Sequence, residues 1–270
     1  MALALPAFGA SSRQKILYFT RSGGFEHSVV KRSGIALSYS ENILTEIGRK
    51  CGFDVECTKD GRVFDGNLDQ YDAIAFYTSG DLTGPSKDGG PPMTLQGKRK
   101  LLDAISAGKG FVGLHACTDS FHSKSDAEID PYIAMVGGEF VIHGAQQEAS
   151  LVIAGGFPGM NLGMGEGIAF TEEWYAMKNF AKDLHVVLVQ ETAMMKGDMY
   201  QRPDYPETWV HMYGKGRVFY TSLGHREDVW VNPFFQAILQ GAFAWTLGNA
   251  KFDVTPNIDK VTPRAGEMKL

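Results

Sequence analysis

Residues 108–122, GKGFVGLHACTDSFH, decide how this chain folds and where its chemistry lies. The run FVGL is short and apolar, which is typical of a strand buried in a parallel sheet. His115, Ala116 and Cys117 follow at once, where such a strand turns into a helix. Functional side chains gather at the carboxyl ends of parallel strands, so either His115 or Cys117 is the working residue.

The spacing in this stretch favours His115 over Cys117. A nucleophile at a strand–helix elbow usually has glycine neighbours, because the turn is tight and strained. In GLHACTD the strand ends at His115, and Cys117 lies about half a helical turn further on and points elsewhere. We therefore predict that Cys117 is a small buried residue. A cysteine-dependent hydrolase that uses Cys117 is the alternative.

Strands alternate with helices in the first half of the chain. This order is typical of βαβ units and predicts an α/β fold with a mainly parallel sheet. Thr94 is expected to cap one helix, and Gly52 to follow the end of another. The predicted strands are 15–20, 53–60, 73–81 and 111–115, and the predicted helices are 36–52 and 93–108.

The second half has a different texture, with strand-like runs joined by tight polar turns. We expect a mixed or antiparallel extension there, closed by a helix with Asn232 as N-cap and Pro233 at its first position. The domain is expected to span residues 15–252, between a flexible segment at 1–14 and a loosely held C-terminal arm at 253–270. The strand-like runs are 148–156, 185–192, 207–214 and 216–225.

Composition excludes several classes of protein. The 270 residues are 44% hydrophobic and 21% charged, and their net charge is −5, so nucleic acid and anionic membranes are not expected partners. The three cysteines form no CxxC pair, which argues against a disulfide framework or a thiolate zinc site. The chain has no phosphate loop or dinucleotide motif, so bound NAD is not expected.

The location of the protein stays open. The string MALALPAFGASSR is apolar and rich in small residues, but it lacks the charged start and full apolar core of an intact signal peptide. A cytoplasmic protein and an exported, periplasmic one with a signal remnant are both compatible with it. Away from this string, no apolar run approaches the roughly 20 residues of a membrane span.

Histidines follow several predicted strands. His115, His143 and His225 lie at probable strand ends, and His27 lies in the loop after the first strand. We predict that they line one pocket, where imidazole suits either proton transfer or metal ligation. Spacing does not separate these two uses, so a divalent metal such as zinc is left open.

Carboxylates near these histidines are candidates for supporting roles. Asp119 lies four residues after His115, on the same face if a helix begins there. In the string TEEWYAM, Glu173 can bind sugar hydroxyls while the rings of Trp174 and Tyr175 stack on the sugar, although a solvated turn beside a core tryptophan fits equally. The remaining candidates are Glu227, which can orient His225, and Asp81, in the loop after the third strand.

Taken together, these motifs resemble the ThuA-like family, named for trehalose utilisation, within the class I glutamine amidotransferase-like superfamily. The resemblance covers most of residues 15–248, and the combination of motifs is specific although each alone is weak. The matching segments are KILYFTRSGGFEHS, YDAIAFYTSGD, GKGFVGLHACTDSFH, IAMVGGEFVIHG, EEWYAM and GRVFYTSLGHRED.

The resemblance implies a flavodoxin-like three-layer sandwich. It also implies a departure from glutaminase chemistry, because the superfamily's GxCxG elbow is GLHAC here and His115 stands at the cysteine's position. The HxE motif survives as His225, Arg226 and Glu227. Imidazole at the elbow cannot form the required thioester, so the site's place is kept and its thiol chemistry is lost.

For function, the resemblance implies carbohydrate metabolism by way of 3-keto sugars. We expect an enzyme, a hydrolase, lyase or isomerase, acting on a small-molecule glycoside or disaccharide. Its predicted catalytic residues are His115, His225, His143 and Asp119, and its predicted substrate-binding residues are His27, Asp81, Glu173, Trp174 and Glu227. A non-catalytic sugar-binding or accessory protein is the alternative from another class. Polar aromatic residues such as Tyr200, Tyr205 and Trp230 suit a dimer face or a pocket rim equally well, so a homo-oligomer is left open.

Overall fold

A computed structural model describes residues 13–160, 163 and 165–268. Of the predicted flexible segment at 1–14, only Arg13 and Gln14 fall within these described residues. Eleven strands and six α-helices form in the described part of the chain. The strands are β1 (Gln14–Phe19), β2 (Phe53–Thr58), β3 (Ala73–Phe76), β4 (Gly110–Leu114), β5 (Glu139–His143), β6 (Gln147–Ile153), β7 (Gly167–Glu172), β8 (Tyr175–Lys178), β9 (His185–Gln190), β10 (Tyr205–Tyr213) and β11 (Gly216–Thr221). The helices are α1 (Tyr39–Cys51), α2 (Leu95–Ala107), α3 (Pro131–Val136), α4 (Glu227–Trp230), α5 (Pro233–Thr246) and α6 (Ile258–Val261).

The main sheet has a parallel half and an antiparallel half. Among the described residues it contains nine strands in the order β2-β1-β3-β4-β11-β10-β9-β6-β7. The pairs from β2 to β11 are parallel, and those from β11 to β7 are antiparallel. The predicted mainly parallel sheet with an antiparallel extension in the second half is therefore confirmed.

The helix ends follow the capping residues read from the sequence. Ser38 and Glu41 form a capping box that starts α1 three residues later than the apolar pattern suggested, and Gly52 ends it in a left-handed conformation. Thr94 caps α2 through its side chain. Asn232 caps α5, whose first residue is a proline, as predicted.

The helices cover the sheet in two groups. α1, α4 and α5 contact one another, while α2 contacts α3. The apolar face of α5 packs on the central strands β4 and β11 and buries Phe235 and Trp245 among its residues. This arrangement is the three-layer, flavodoxin-like sandwich that the sequence predicted.

A second, small sheet escaped the sequence pattern. β5 and β8 pair antiparallel, with His143 opposite Tyr175, and are separate from the main sheet. Neither strand is long or strictly alternating, and a register shift interrupts the pairing between Phe140 and Ile142. The sequence pattern also did not predict α3 or β7. The small sheet matters because it brings His143 beside the carboxyl ends of the parallel strands.

Residues 253–268 pack against the antiparallel half of the sheet. The Asn257 side chain accepts from the backbone nitrogen of Val186 at 2.6 Å and donates to its oxygen at 3.0 Å. Ile258 is buried, and Arg202 donates to the backbone oxygen of Ala265. The sequence predicted a loosely held arm, whereas these contacts fix the segment on β9.

Membrane insertion has no helical basis in the described residues, because none of their helices combines the length and apolar character that a span requires.

Candidate active site

His115 stands at a strained elbow at the end of the central strand. β4 ends at Leu114, and His115 begins a 3-10 turn that runs to Asp119. Its φ of 43° lies in the left-handed region, which a residue with a Cβ occupies at a cost on the order of 1–3 kcal/mol. The ring is fully buried, and its Nδ1 lies 2.6 Å from the backbone oxygen of Ser222. The structure thus places His115 where the sequence predicted.

Three imidazoles and one carboxylate converge at this elbow. One ligand atom from each of His27, His115, Glu173 and His225 lies within 4.8 Å of every other, and these four residues are called the imidazole cluster below. From Glu173 Oε2, the distance is 3.1 Å to His225 Nδ1, 3.5 Å to His115 Nε2 and 3.9 Å to His27 Nε2. His225 Nδ1 also lies 3.3 Å from His115 Nε2.

Four separate parts of the chain deliver these groups. His27 follows β1, His115 follows β4 and His225 follows β11, so the three histidines come from carboxyl ends of parallel strands, as predicted. Glu173 comes from the other half of the molecule, in the short connection between β7 and β8. The cluster therefore exists only when both halves of the chain are folded.

Burial and mutual contact set the charges of the cluster. Burial lowers the pKa of His115 to about 3 and also lowers the pKa of His27, so both rings are neutral near pH 7. Burial opposes the charge of Glu173, but the neighbouring imidazoles outweigh it and hold the pKa of this carboxyl well below its usual range. At His225 the effect of burial is outweighed by Glu173, which raises the pKa of this imidazole.

A cleft of about 190 Å³ opens above the cluster. His143 lines it, with Nδ1 at 3.3 Å from Glu173 Oε1, and so does Asp119. The rings of Phe140 and Tyr175 pack against each other in its wall, with 4.2 Å between their centroids. The cleft therefore combines a polar floor with an aromatic side. A larger cavity of about 420 Å³ beside the C-terminal segment lies away from these groups, so chemistry rather than size identifies the site.

Trp174 does not take the predicted position on a substrate. It is fully buried, and its indole nitrogen donates to the backbone oxygen of Gln147 at 2.8 Å. Side chains alternate along an extended chain, so its neighbour Tyr175 faces the cleft instead. The prediction that Trp174 stacks on a sugar is wrong.

Glu227 and Asp81 serve local structure rather than the cleft. Glu227 accepts from the Ser28 hydroxyl at 2.5 Å, and the His225 ring is oriented by Glu173 instead. Asp81 is exposed and accepts from both the backbone nitrogen and the hydroxyl of Thr83, which stabilises its own loop. Neither is among the described residues that line the cleft, and their substrate-binding roles stay predictions.

Asp119 belongs to a second polar group at the edge of the cleft. Its Oδ1 lies 2.8 Å from His122 Nε2, and His122 Nδ1 lies 3.2 Å from Glu139 Oε1. The hydrogen bond to Asp119 raises the pKa of His122 against the effect of partial burial. Sequence reasoning gave His122 no role, although its spacing of three from Asp119 fits one turn of a helix.

Aromatic residues of the cleft were also missed. Phe25 and Phe140 line it beside Tyr175, and neither was predicted as a site residue. The pairing of His143 with Tyr175 was the available signal, since facing residues of an antiparallel pair are neighbours. This signal requires knowledge of the β5–β8 register, which the sequence pattern does not give.

Cys117 points away from the cleft. The thiol is fully buried, and burial raises its pKa far above the usual range of a cysteine. A Cβ added at Gly113 would lie 2.5 Å from Cys117 Sγ, so the sulfur fills the space that this glycine leaves open beneath the strand. A protonated thiol packed against β4 is not a nucleophile, and the alternative of a cysteine-dependent hydrolase is contradicted.

Comparison with protein families gives one match over most of the chain. Residues 15–246 match the family model ThuA, described as trehalose utilisation. The comparison with curated proteins gave no match.

Comparison with solved structures shows the same fold. A putative ThuA-like protein from Bacteroides uniformis is 18% identical, with a TM-score of 0.65 over 92% of this chain and 97% of that chain. A putative ThuA-like protein from Parabacteroides merdae is also 18% identical, with a TM-score of 0.59 over 90% and 92%. A β-galactosidase from Rahnella sp. R3 is 13% identical, with a TM-score of 0.52 over 87% of this chain and 31% of its own. At these identities the likeness concerns the fold alone.

Proposed function

Because the chain belongs to the ThuA family of trehalose utilisation, we propose that it is an enzyme that processes a glycoside or disaccharide in the cleft above the imidazole cluster. The observation that carries this proposal is the composition of the cleft. Ionisable side chains form its floor and aromatic rings form one wall. The floor can bind the hydroxyl groups of a sugar, and the wall can contact the apolar face of the sugar ring. At about 190 Å³ the cleft is smaller than the ~300–1,000 Å³ that encloses a drug-sized ligand, so it suits one sugar ring with the second outside.

The chemistry best suited to these groups is proton transfer beside a carbonyl. The buried Cys117 supplies no nucleophile, whereas His143 and Asp119 line the cleft and both can exchange protons. A 3-keto sugar carries an acidic C–H bond at carbon 2, next to its carbonyl group and next to the anomeric carbon. We assign this class of substrate to the site.

The proposed reaction is an elimination followed by a hydration. A base takes the proton from carbon 2, the electron pair forms a double bond between carbons 1 and 2, and the bond from carbon 1 to the glycosidic oxygen breaks. The departing oxygen takes a proton and becomes a hydroxyl group of the released sugar. Water then adds across the double bond, its oxygen to carbon 1 and a proton to carbon 2. The net change is hydrolysis of the glycoside without a covalent intermediate.

The described residues divide these tasks by position. His143 is half exposed, and its Nδ1 is held by Glu173 and the Gly144 carbonyl, which leaves Nε2 to act as the base. Asp119 and His122 share a hydrogen bond at the edge of the cleft and return a proton to the departing oxygen. The carbonyl oxygen, where negative charge develops, is assigned to His225, the member of the cluster whose pKa is raised by Glu173.

The test uses 3-keto-trehalose, with trehalose as the matched unoxidised sugar. We expect release of glucose and 3-keto-glucose from the first only, and incorporation of deuterium at carbon 2 in heavy water. His143→Gln should lower the rate by about 100-fold or more, within the range of general acid–base catalysis. His211→Gln is the control, because His211 bonds to the backbone oxygen of Met135 outside the cleft.

Two outcomes would overturn the proposal. One is unchanged 3-keto-trehalose with no deuterium exchange, both with and without added divalent metal. The other is binding of a sugar without turnover and with equal affinity in His115→Asn, which would identify a non-catalytic sugar-binding protein instead.

A further inference from the structure

His115 directs one ring nitrogen toward the Glu173 carboxylate. A backbone oxygen only accepts hydrogen bonds, so the 2.6 Å contact with Ser222 places a proton on His115 Nδ1. Its Nε2, the nitrogen left to bind an ion, lies 3.5 Å from Glu173 Oε2 and 3.3 Å from His225 Nδ1. A divalent cation among these atoms would bind the carboxylate and the imidazole nitrogens together.

The spacing of the four groups is that of ligands around a small ion. Ligand atoms held about 2.0–2.2 Å from a tetrahedral ion lie roughly 3.3–3.6 Å apart. The contacts of Glu173 Oε2 with the three imidazoles measure 3.1, 3.5 and 3.9 Å, and His225 Nδ1 lies 3.3 Å from His115 Nε2. All four ligand atoms lie within 4.8 Å of one another, so binding of an ion would draw the most distant of them together.

We infer that His27, His115, His225 and Glu173 together bind one divalent transition-metal ion, zinc or an ion of similar size and ligand preference. Three imidazoles and one carboxylate suit such ions, whereas magnesium and calcium prefer oxygen ligands throughout. The burial of the cluster supports this assignment. His115 is fully buried and His27 is 3% exposed, so little of either ring faces solvent.

Outer contacts orient the ligands as metal sites require. The Ser222 carbonyl fixes the tautomer of His115, and Ser222 is itself held by Glu207, which accepts from its backbone nitrogen at 2.9 Å and its hydroxyl at 2.7 Å. On the cleft side, His143 contacts Glu173 Oε1 and leaves Oε2 for the ion. Such second contacts are typical of metal-binding histidines and carboxylates.

The ion would lie at the floor of the cleft. This placement rests on the proposed function in one respect only, the task of the ion: bound there, it would supply positive charge to a substrate oxygen. The binding site itself is inferred from the four side chains and requires no substrate.

Metal binding can be measured directly on the chain of 270 residues. Purified protein is stripped with EDTA, dialysed and titrated separately with Zn²⁺, Mn²⁺ and Co²⁺ by calorimetry, and bound metal is counted by elemental analysis. We expect one ion per chain and, with Co²⁺, visible absorption bands typical of nitrogen and oxygen ligands. Zinc should also raise the unfolding temperature of the stripped protein.

Variants test whether the assigned residues hold the ion. Glu173→Gln keeps the side-chain shape, and Asn in His115→Asn tolerates a positive φ, so both should fold. Each should weaken zinc binding by at least about 100-fold, since losing an outer contact alone costs 10–100-fold. His225→Gln, at a partly exposed position, gives a third test if either variant fails to fold. His211→Gln is the matched control, because His211 is 2% exposed and lies outside the cluster.

The inference is overturned if the wild-type protein binds none of the three ions, or if its affinity is unchanged in the folded cluster variants. These measurements contain no sugar. If the protein binds metal but leaves 3-keto-trehalose unchanged, the proposed reaction is refuted and the metal site stands. If it cleaves 3-keto-trehalose but binds no metal, the metal site is refuted and the reaction stands.

Discussion

Position 115 places a histidine in a backbone conformation that glycine adopts more readily. Its φ of 43° is unfavourable for any side chain with a Cβ, yet the chain keeps a bulky ring there. Strain of this kind persists where the surrounding structure holds the residue and is common at functional sites. The strained conformation directs the His115 ring toward Glu173.

The strain can be measured by comparing two small residues at this position. His115→Gly and His115→Ala lose the same ring, so the effect of the cavity is nearly the same in both. We expect the glycine variant to be more stable by about 1 kcal/mol, because alanine retains the unfavourable Cβ. Urea denaturation measures the difference.

The neighbouring Ala116 provides the control for this comparison. Its φ lies outside the left-handed region, so Ala116→Gly should destabilise the protein by about 0.5–1 kcal/mol, the usual order. If alanine were also the better residue at position 115, the elbow would not be strained.

Cys117 and Gly113 form a second testable pair at the residue scale. A Cβ at Gly113 would meet Cys117 Sγ at 2.5 Å and Tyr220 at 3.1 Å, so Gly113→Ala should cost about 1–3 kcal/mol. In a Cys117→Ala background the cost should fall by about 1 kcal/mol, since the sulfur is gone and the tyrosine remains. Denaturation of the four proteins gives the coupling energy. Additive costs would show that the thiol lies elsewhere.

The sequence predicted the histidines better than the other site residues. His27, His115 and His225 were found because strand ends are visible in an apolar pattern, and those ends share one edge of a parallel sheet. Trp174 and Tyr175 could not be told apart, because which of two adjacent aromatics faces inward depends on a register that the pattern does not contain.

At the scale of elements, the loops that follow β1, β3 and β4 hold one another in place. The backbone nitrogens of Gly23 and Gly24 both donate to the Ser79 oxygen, at 2.7 and 2.9 Å, and Gly80 donates to the Asp119 oxygen at 2.9 Å. These hydrogen bonds link the loop that carries His27 to the turn that carries Asp119. The position of each loop therefore depends on its neighbour.

Gly80 is the position where this interlocking is most sensitive. Its φ is 68°, and a Cβ there would lie 2.4 Å from the backbone nitrogen of Gly24. Gly80→Ala should therefore suffer both strain and a backbone clash, and it should displace the His27 loop. We expect a loss of stability about 2 kcal/mol larger than in Gly34→Ala, together with weaker metal binding.

Gly34→Ala separates the two causes. Gly34 has a similar φ of 61°, but a Cβ there would meet no atom within 4 Å, so its variant carries the strain without the clash. Thermal unfolding and zinc titration of both variants provide the measurement. Equal losses in the two would mean that the loops are not in contact.

At the scale of the whole molecule, the order of elements fixed the architecture, but not the small sheet that completes the site. Alternating strands and helices suffice to predict a parallel sheet with helices on both faces. The β5–β8 sheet is formed by two short segments far apart in sequence, and short strands carry little periodic signal. Glu173 was predicted by residue type, whereas its place among the imidazoles depends on this long-range pairing.

The antiparallel half of the sheet gives the C-terminal segment a role in the site. Glu173 follows β7, and β7 joins the main sheet only through β6 and β9 among the described strands. Asn257 satisfies both backbone groups of Val186 in β9. Asn257→Ala leaves these groups without their partner, so we expect a loss of about 1–3 kcal/mol in unfolding free energy.

Removal of residues 253–270 should cost more than Asn257→Ala, because burial of Ile258 is lost as well. It should also weaken zinc binding, since the support of β9 reaches Glu173 through β6 and β7. Asp259→Ala, at an exposed position of the same segment, should change stability by no more than about 0.5 kcal/mol. Urea denaturation measures the stability of the three proteins, and calorimetry measures their affinity for zinc. If truncation changes neither quantity, the segment is the loosely held arm that the sequence predicted.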